Sequence, residues 1–203
     1  HPIYHEEIKV KLLDGCFIAH PSVMLNNAFL IKNKLNYNTS AEPAEDYDLW
    51  SRIVFLAKVA NLNETLLLYR VSDNQVSIKR AFEQKQSALN VKLIMLQKLN
   101  PSLTADYFDS KTTIITFKTF LKNYNISKNL IFENKNSRLF QDQLFMDWIS
   151  SENKKLIFNF YYEGVYNLTT HLFLLVKAPF FYKEIGFFRS IKMIFKIRNN
   201  TSK

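Results

Sequence analysis

Apolar residues recur at helical spacing along most of this chain, and the spacing predicts eight helices. They fall at residues 5–13, 26–32, 45–58, 82–99, 111–123, 137–150, 154–176 and 182–198. Short apolar runs at 17–25, 59–61 and 66–71 lack this spacing and predict strands, the first of them buried. The pattern therefore divides the chain into a mixed part, 1–80, and a helical part, 81–203, with 123–136 as the best candidate for a linker.

The helix predicted at 45–58 begins with three carboxylates, and they face different ways. At about 100° per residue, Asp48 falls on the polar side, where it can pair with Arg52 at i,i+4. Asp46 falls in the middle of the apolar stripe that Leu49 and Trp50 belong to. A carboxylate there is either a first-turn acid stabilised by the helix N-terminus, which Pro43 favours, or a group that faces a cleft.

Four segments of residues 5–80, taken in order, resemble one family. They are His20-Pro21-Ser22-Val23-Met24, the acidic stretch 44–52, Leu68-Tyr69-Arg70 and Asn74-Gln75-Val76-Ser77. This order is similar to the second half of the catalytic domain of bacterial family 2 glycosyltransferases. The resemblance implies an α/β fold for residues 1–80, the C-terminal portion of a GT-A nucleotide-diphospho-sugar transferase fold, followed by a mainly helical extension.

The resemblance also implies a reaction, the inverting transfer of a sugar from a nucleotide-sugar to a glycan or lipid-linked acceptor. The acceptor hydroxyl must lose its proton as it attacks the anomeric carbon, and a carboxylate within hydrogen-bond reach can take that proton. By the resemblance, Asp46 is the catalytic base and Glu45 its catalytic neighbour, while Trp50 belongs to the acceptor site.

Two further residues have open roles. His20 either lies at the rim of the acceptor cleft or is hydrogen-bonded to the backbone of a turn, since it directly precedes Pro21. Arg70 either contacts the diphosphate of the donor or forms an ion pair with Glu64 or Asp46.

The chain departs from the family in the parts that bind the donor. The family's N-terminal βαβ half and its metal-binding Asp-x-Asp motif are not found, and the chain begins at His1. We therefore expect a piece of a longer protein that is inactive by itself. Asp46 and Asp48 lie about 200° apart on a helix and cannot chelate one ion. Where relatives carry a metal-ligating His, this chain has Ser72, with Asp73 beside it. Asp73 is either a replacement ligand for Mg²⁺ or Mn²⁺ or a plain loop residue.

Charge is concentrated at the C-terminal end. The net charge is +9, and residues 177–203 hold seven basic side chains against one acidic side chain, interleaved with aromatic and aliphatic residues. This pattern favours peripheral contact with an anionic membrane, and the alternative is a packed terminal helix with a solvated basic face. The longest uncharged apolar run, 172–176, is too short to span a bilayer. No motif for nucleic acid accompanies the charge.

One cysteine, Cys16, excludes an intrachain disulfide framework and fits a reducing cytoplasm, and its apolar neighbours predict a buried thiol. We expect a cytoplasmic protein, peripheral on the inner face of a bacterial membrane, which takes part in polysaccharide synthesis. The competing class is a non-enzymatic helical interaction or membrane-docking module. Donor, acceptor, linkage and oligomeric state cannot be read from the sequence.

Overall fold

A computed structural model describes residues 1–70, 72, 75–109 and 116–163 of the chain. Eight α-helices lie in these ranges. They are α1 (His5–Lys11), α2 (Asn27–Lys32), α3 (Glu45–Ile53), α4 (Val76–Lys79), α5 (Ala81–Gln97), α6 (Asp106–Asp109), α7 (Phe117–Ser137) and α8 (Asp142–Glu163). Two short 3₁₀ turns, His20–Ser22 and Thr39–Ala41, precede α2 and α3. The helix predicted at 182–198 lies outside the described residues.

The prediction of an α/β fold, as the C-terminal portion of a GT-A fold, is wrong for the part of the chain that the structure describes. No strand forms there. The run 17–25 contains a 3₁₀ turn, and residues 59–61 and 66–70 are non-helical segments without sheet pairing. Apolar side chains alone do not make a strand, because the backbone needs a neighbouring strand to pair with. Leu66 and Leu68 accordingly remain exposed.

In contrast to the strands, several of the predicted helices are present in the structure. Helices α1, α2, α3 and α5 lie where the periodicity placed them, although α3 ends at Ile53, five residues earlier than predicted. The linker predicted at 123–136 is wrong, because α7 runs through it. Its polar residues Asn123, Ser127 and Asn134 are buried, and the Ser127 hydroxyl shares a 3.0 Å hydrogen bond with the Tyr107 hydroxyl. Satisfied polar groups of this kind are compatible with a helix interior.

The chain forms two compact units, and the long helices α7 and α8 contribute to both. One unit comprises residues 1–105 with 132–145, and the other comprises 106–131 with 146–203. In the first unit the deepest side chains include Leu12, Trp50, Met95 and Phe140. In the second unit, Phe120 and Phe160 stack at 4.9 Å between ring centroids.

The turn between α7 and α8 belongs to the first unit and is held by one asparagine. The Asn134 side chain accepts a hydrogen bond from the Phe140 N–H at 2.9 Å and donates to Asp142 Oδ1 at 3.0 Å. These bonds fix Phe140, whose ring stacks on Phe145 at 4.9 Å and meets the Phe55 ring edge-on at 5.8 Å. The turn thereby anchors one end of the core against the residues that follow α3.

Helix α5 positions the segment ahead of α3. Its Gln84 side chain donates to the Pro43 carbonyl at 3.1 Å, and the Ser87 hydroxyl donates to the Glu42 carbonyl at 3.1 Å. Lys92 on the same helix donates to the Asp14 carbonyl at 2.7 Å, which ties the end of the α1 turn to α5. The entry to α3 is therefore fixed by side chains of α5.

None of the described helices is both long enough and apolar enough to cross a membrane. The tail, 177–203, lies outside the described residues, so the predicted membrane contact stays a prediction.

Candidate functional site

The candidate site is built on the first turns of α3, which the core holds rigidly. Leu49, Trp50 and Ile53 are buried, and the buried Tyr47 hydroxyl donates to the Leu12 carbonyl at the end of α1. Burial raises the pKa of Tyr47 well above its usual value, so the hydroxyl stays a neutral donor. The apolar face of α3 thus fixes which way its acidic residues point.

A cavity of about 1660 Å³ lies beside α3 in the first unit. Its wall includes Glu45, Asp46 and Trp50 from α3, together with segments 18–26 and 57–67. The second segment is held in place by Asn61, whose side chain donates to the carbonyls of Pro2 at 2.7 Å and Phe17 at 3.0 Å. The segments predicted as strands therefore border the cavity, although they are not strands.

Asp46 lines this cavity, and its two carboxylate oxygens have different neighbours. Its Oδ1 accepts a 2.7 Å hydrogen bond from the Tyr47 N–H, while its Oδ2 lies 3.9 Å from Nδ1 of His20. The Asp46 side chain is 25% exposed. A distance of 3.9 Å exceeds a direct hydrogen bond, so Oδ2 has acceptor capacity left for a bound hydroxyl.

His20 joins Asp46 to an aromatic cluster. Its Nε2 shares a 3.0 Å hydrogen bond with the Tyr37 hydroxyl, and its ring meets the Trp50 ring edge-on at 6.1 Å. His20 lines the cavity, and its side-chain hydrogen bond goes to Tyr37 and not to the backbone of the turn. Its place at the rim of an acceptor cleft stays a prediction. Sequence reasoning missed Tyr37, because this contact spans 17 residues of chain and leaves no local signal.

Trp50 contains a buried polar atom that lacks a partner. The indole Nε1–H is the buried side-chain donor for which no hydrogen-bond acceptor is found within the described residues. Buried donors without partners are uncommon in folded proteins and cost free energy. Trp50 is only 2% exposed, so just the edge of its ring borders the cavity.

The remaining predicted site residues are placed differently. Glu45 lines the same cavity as Asp46 and is half-buried. Arg70 is exposed, is not part of the cavity wall, and forms no ion pair with Glu64 or Asp46. Ser72 is exposed, and Asp73 lies outside the described residues. The structure therefore brings together Glu45, Asp46, His20 and Trp50, and does not bring Arg70 to them.

Asp48 is the main surprise of α3. Its predicted pairing is confirmed: Oδ2 accepts from Arg52 Nε at 3.1 Å and from Nη2 at 2.8 Å. This polar side of α3 is not open to solvent, however, because Asp48 is only 7% exposed. The sequence could not show that α5 and the 3₁₀ turn Thr39–Ala41 pack over the polar side of α3.

The described residues offer no ready site for a divalent metal. No three side chains of the ligating types His, Cys, Asp and Glu come together in the described part of the chain. Asp46 and Asp48 border different cavities, as their spacing on the helix predicts. The predicted ligand Asp73 lies outside the described residues, so the metal stays a prediction.

Cys16 was predicted to be a buried thiol, and that is wrong for the residue as a whole, which is exposed. Its thiol donates to the Ile18 carbonyl at 3.4 Å. Desolvation of the sulfur raises the pKa of Cys16 to about 11, with a further contribution from the charge of Asp46. Thiolate is scarce at neutral pH, so Cys16 is a poor nucleophile there.

Comparison with known proteins gives one partial similarity. Over 92 residues the chain is 30% identical to an uncharacterized glycosyltransferase of Haemophilus influenzae. The aligned residues are 45% of this chain and 28% of that protein. No protein-family model matches the chain, and no solved structure matches it. The chain spans less than a third of the relative's length, and over that stretch it is similar to a glycosyltransferase.

Proposed function

We propose that this chain is part of an inverting family 2 glycosyltransferase that moves a sugar from a nucleotide-sugar to a glycan or lipid-linked acceptor in bacterial polysaccharide synthesis. The partial similarity to a glycosyltransferase supports the reaction class. The observation that carries the proposal is that Asp46 lines a large cavity together with His20 and Trp50, and that its Oδ2 accepts no hydrogen bond within the described residues.

The proposed chemistry uses Asp46 as the general base. An acceptor hydroxyl donates its hydrogen bond to Oδ2, and the proton passes to the carboxylate as the hydroxyl oxygen forms its bond to the anomeric carbon of the donor. The bond from that carbon to the nucleoside diphosphate breaks on the opposite face, which inverts the configuration. The Tyr47 N–H holds Oδ1 at 2.7 Å and so keeps Oδ2 in position.

His20 and Trp50 form the acceptor side of the proposal. The half-exposed His20 ring, fixed by the Tyr37 hydroxyl, contacts the acceptor sugar, and Trp50 supports that ring from below. Aromatic rings pair well with the apolar faces of ligands, and both residues line the cavity. Glu45 lines the same cavity and is proposed as the catalytic neighbour of Asp46.

The donor side rests on residues that the structure does not place in the cavity. Arg70 is proposed to contact the donor diphosphate, since a guanidinium matches phosphate oxygens and no acid is paired with it in the described residues. A divalent metal, if Asp73 is one of its ligands, would supply charge stabilisation of the leaving diphosphate.

The cellular setting is likewise proposed. Residues 177–203 would hold the protein on the inner face of the membrane, where lipid-linked acceptors are found, because their cations attract anionic lipid and their aromatic residues suit the interface. A cytoplasmic, peripheral location follows from that contact.

The proposal is tested with the complete gene product. Incubation with radiolabelled UDP-, GDP- and TDP-sugars and a lipid extract of the source bacterium should transfer label from one donor into the lipid fraction. The chain of 203 residues alone should not transfer label, since the family's donor-binding half is absent from it. If no donor is consumed above the level of a protein-free control, the proposal fails.

A second candidate function is a non-enzymatic helical interaction or membrane-docking module. The observation that favours it is the number of exposed large apolar side chains near the cavity, with Met24 at 98% and Leu68 at 94% exposure. Exposed apolar surface marks sites that another polypeptide or a lipid covers. Binding without any consumption of a nucleotide-sugar would favour this candidate.

A further inference from the structure

A second, smaller cavity lies on the other side of α3, and no role has been assigned to it so far. Its volume is about 310 Å³, and it is enclosed by α3, α5 and the 3₁₀ turn Thr39–Ala41. This volume is at the lower end of the range for small-molecule sites, about 300–1,000 Å³. The cavity therefore suits a ligand of about one sugar ring.

A buried carboxylate reaches this cavity. Asp48 is only 7% exposed, and Arg52, which does not line the cavity, takes both of its hydrogen bonds to Oδ2. Within the described residues no donor reaches Oδ1. Oδ1 is therefore an unpartnered carboxylate oxygen that still reaches solvent, and such an oxygen is a strong acceptor for a ligand hydroxyl.

The rim supplies further polar groups that the protein does not use. The Asn90 carboxamide and the Ser40 hydroxyl form no side-chain hydrogen bond to described residues, and the Asn38 side chain uses only its oxygen, towards the Ser40 N–H at 3.1 Å. Val91, Leu93 and Ile94 provide an apolar side to the same cavity. A mixture of hydroxyl-binding groups and one apolar wall matches the two kinds of surface on a sugar ring.

The net charge of the cavity indicates which class of hydrophilic ligand it can bind. The Asp48 carboxylate is already neutralised by the Arg52 guanidinium at 2.8 Å, so the cavity has no net charge to attract a cation. A ligand amine would gain little, whereas an uncharged hydroxyl can donate to Oδ1 at small desolvation cost. The chemistry therefore favours an uncharged, hydroxyl-rich ligand.

We propose that this cavity is a saccharide-binding subsite in which Asp48 Oδ1 and Asn90 hold the hydroxyls of one uncharged sugar residue. The subsite is distinct from the Asp46 cavity, because the two carboxylates project from α3 about 200° apart. It does not require Asp46 to act as a base, so it goes beyond the proposed function. It fits a sugar unit of a glycan remote from the reacting hydroxyl.

The test is a titration of the uniformly ¹⁵N-labelled chain with the methyl glycosides of glucose, galactose, mannose and N-acetylglucosamine, followed by NMR. One glycoside should shift the side-chain amide signals of Asn90 and Asn38 in a saturable way, with a Kd in the millimolar range expected for a ligand of this size. Removing the Asp48 side chain would also break its pair with Arg52, so the variants are made at the exposed rim instead.

Asn90→Ala should weaken binding by about five-fold, the effect of losing one hydrogen bond. Asn27→Ala, an exposed asparagine on α2 outside both cavities, is the matched control and should bind as the wild type does. If no glycoside shifts these signals at about 50 mM, far above a millimolar Kd, the inference is overturned. Shifts confined to the His20 ring and the Trp50 indole would also overturn it, while supporting the acceptor cleft of the proposed function.

Discussion

Replacement of Asp48 by Asn should destabilise the first unit far more than the same change at Asp46, two residues away. Asp48 is 7% exposed and receives two hydrogen bonds from Arg52, whose Nη2 also donates to the Asn36 carbonyl at 2.6 Å. The pair therefore links α3 to the turn that precedes it. Asp46 has a 25% exposed side chain and one local main-chain hydrogen bond.

The magnitude follows from burial. Removing one partner of a fully buried ion pair costs about 3–5 kcal/mol, whereas an exposed pair contributes about 0–1 kcal/mol. The Arg52 side chain is 31% exposed and can regain part of its hydration, which lowers the expected cost. We therefore expect Asp48→Asn to reduce the free energy of unfolding by about 2–3 kcal/mol and Asp46→Asn to reduce it by less than about 1 kcal/mol.

Urea denaturation followed by tryptophan fluorescence measures this difference. The chain has two tryptophans, Trp50 in the first unit and Trp148 in the second, so a Trp148→Phe background makes the signal report on the first unit. With a slope of about 2 kcal/mol per molar urea, Asp48→Asn should lower the midpoint by about 1 M. Equal midpoints for the two variants would refute the assignment of Asp48 as the buried, paired carboxylate.

Three further predictions concern other parts of the chain. Cys16, with its pKa raised to about 11, should react slowly with iodoacetamide at pH 8 and much faster as the pH approaches 11. A reaction rate at pH 8 equal to that of a free thiol would contradict this prediction. Desolvation lowers the folded-state pKa of His5 below 6.5, and its neutral Nδ1 accepts a hydrogen bond from the Val59 N–H at 3.3 Å. The neutral imidazole therefore stabilises the fold above pH 6.5, and this stability should be lost as the pH falls through the folded-state pKa of His5. His5→Gln should flatten this pH dependence in thermal unfolding. A chain truncated after Val176 should sediment less with phosphatidylglycerol vesicles than the whole chain does, since residues 177–203 carry seven basic side chains. Equal sedimentation of the two chains would show that the tail is not the membrane contact.

Helical periodicity predicted most helices of the first 100 residues well, because an amphipathic helix satisfies its own backbone and needs only one apolar face to pack. The strands failed for the opposite reason. Residues 17–25 and 66–71 have strand-like composition, but a strand needs a hydrogen-bonded neighbour, which the described residues do not supply. The asparagine-rich segment 123–136 suggested a linker, yet it is part of α7, and its buried Ser127 and Asn134 have hydrogen-bond partners in Tyr107 and Phe140.

For the candidate site as well, local features could be predicted from the sequence, whereas contacts between distant segments could not. Helix geometry is local, and it predicts that Asp46 and Asp48 lie on different sides of α3, with Asp46 on the side of the cavity. The burial of Asp48, the hydrogen bond from Tyr37 to His20 and the orphan Trp50 N–H all depend on segments distant in sequence. Such contacts are set by tertiary packing and leave no periodic signal. The site roles of Glu45, Asp46, His20, Trp50, Arg70 and Asp73 stay predictions.

The central claim is that Asp46 removes the acceptor proton, and the turnover of Asp46→Asn in the complete gene product tests it most directly. Asparagine keeps the shape of the side chain and cannot accept the proton, so kcat should fall by about 100-fold or more while the KM for the donor changes little. Asp48→Asn, assayed at a temperature where it remains folded, should leave kcat nearly unchanged, and any loss should appear in the KM for the acceptor, since the proposed subsite is remote from the reacting hydroxyl. An unchanged kcat for Asp46→Asn, or equal losses for the two folded variants, would contradict the account.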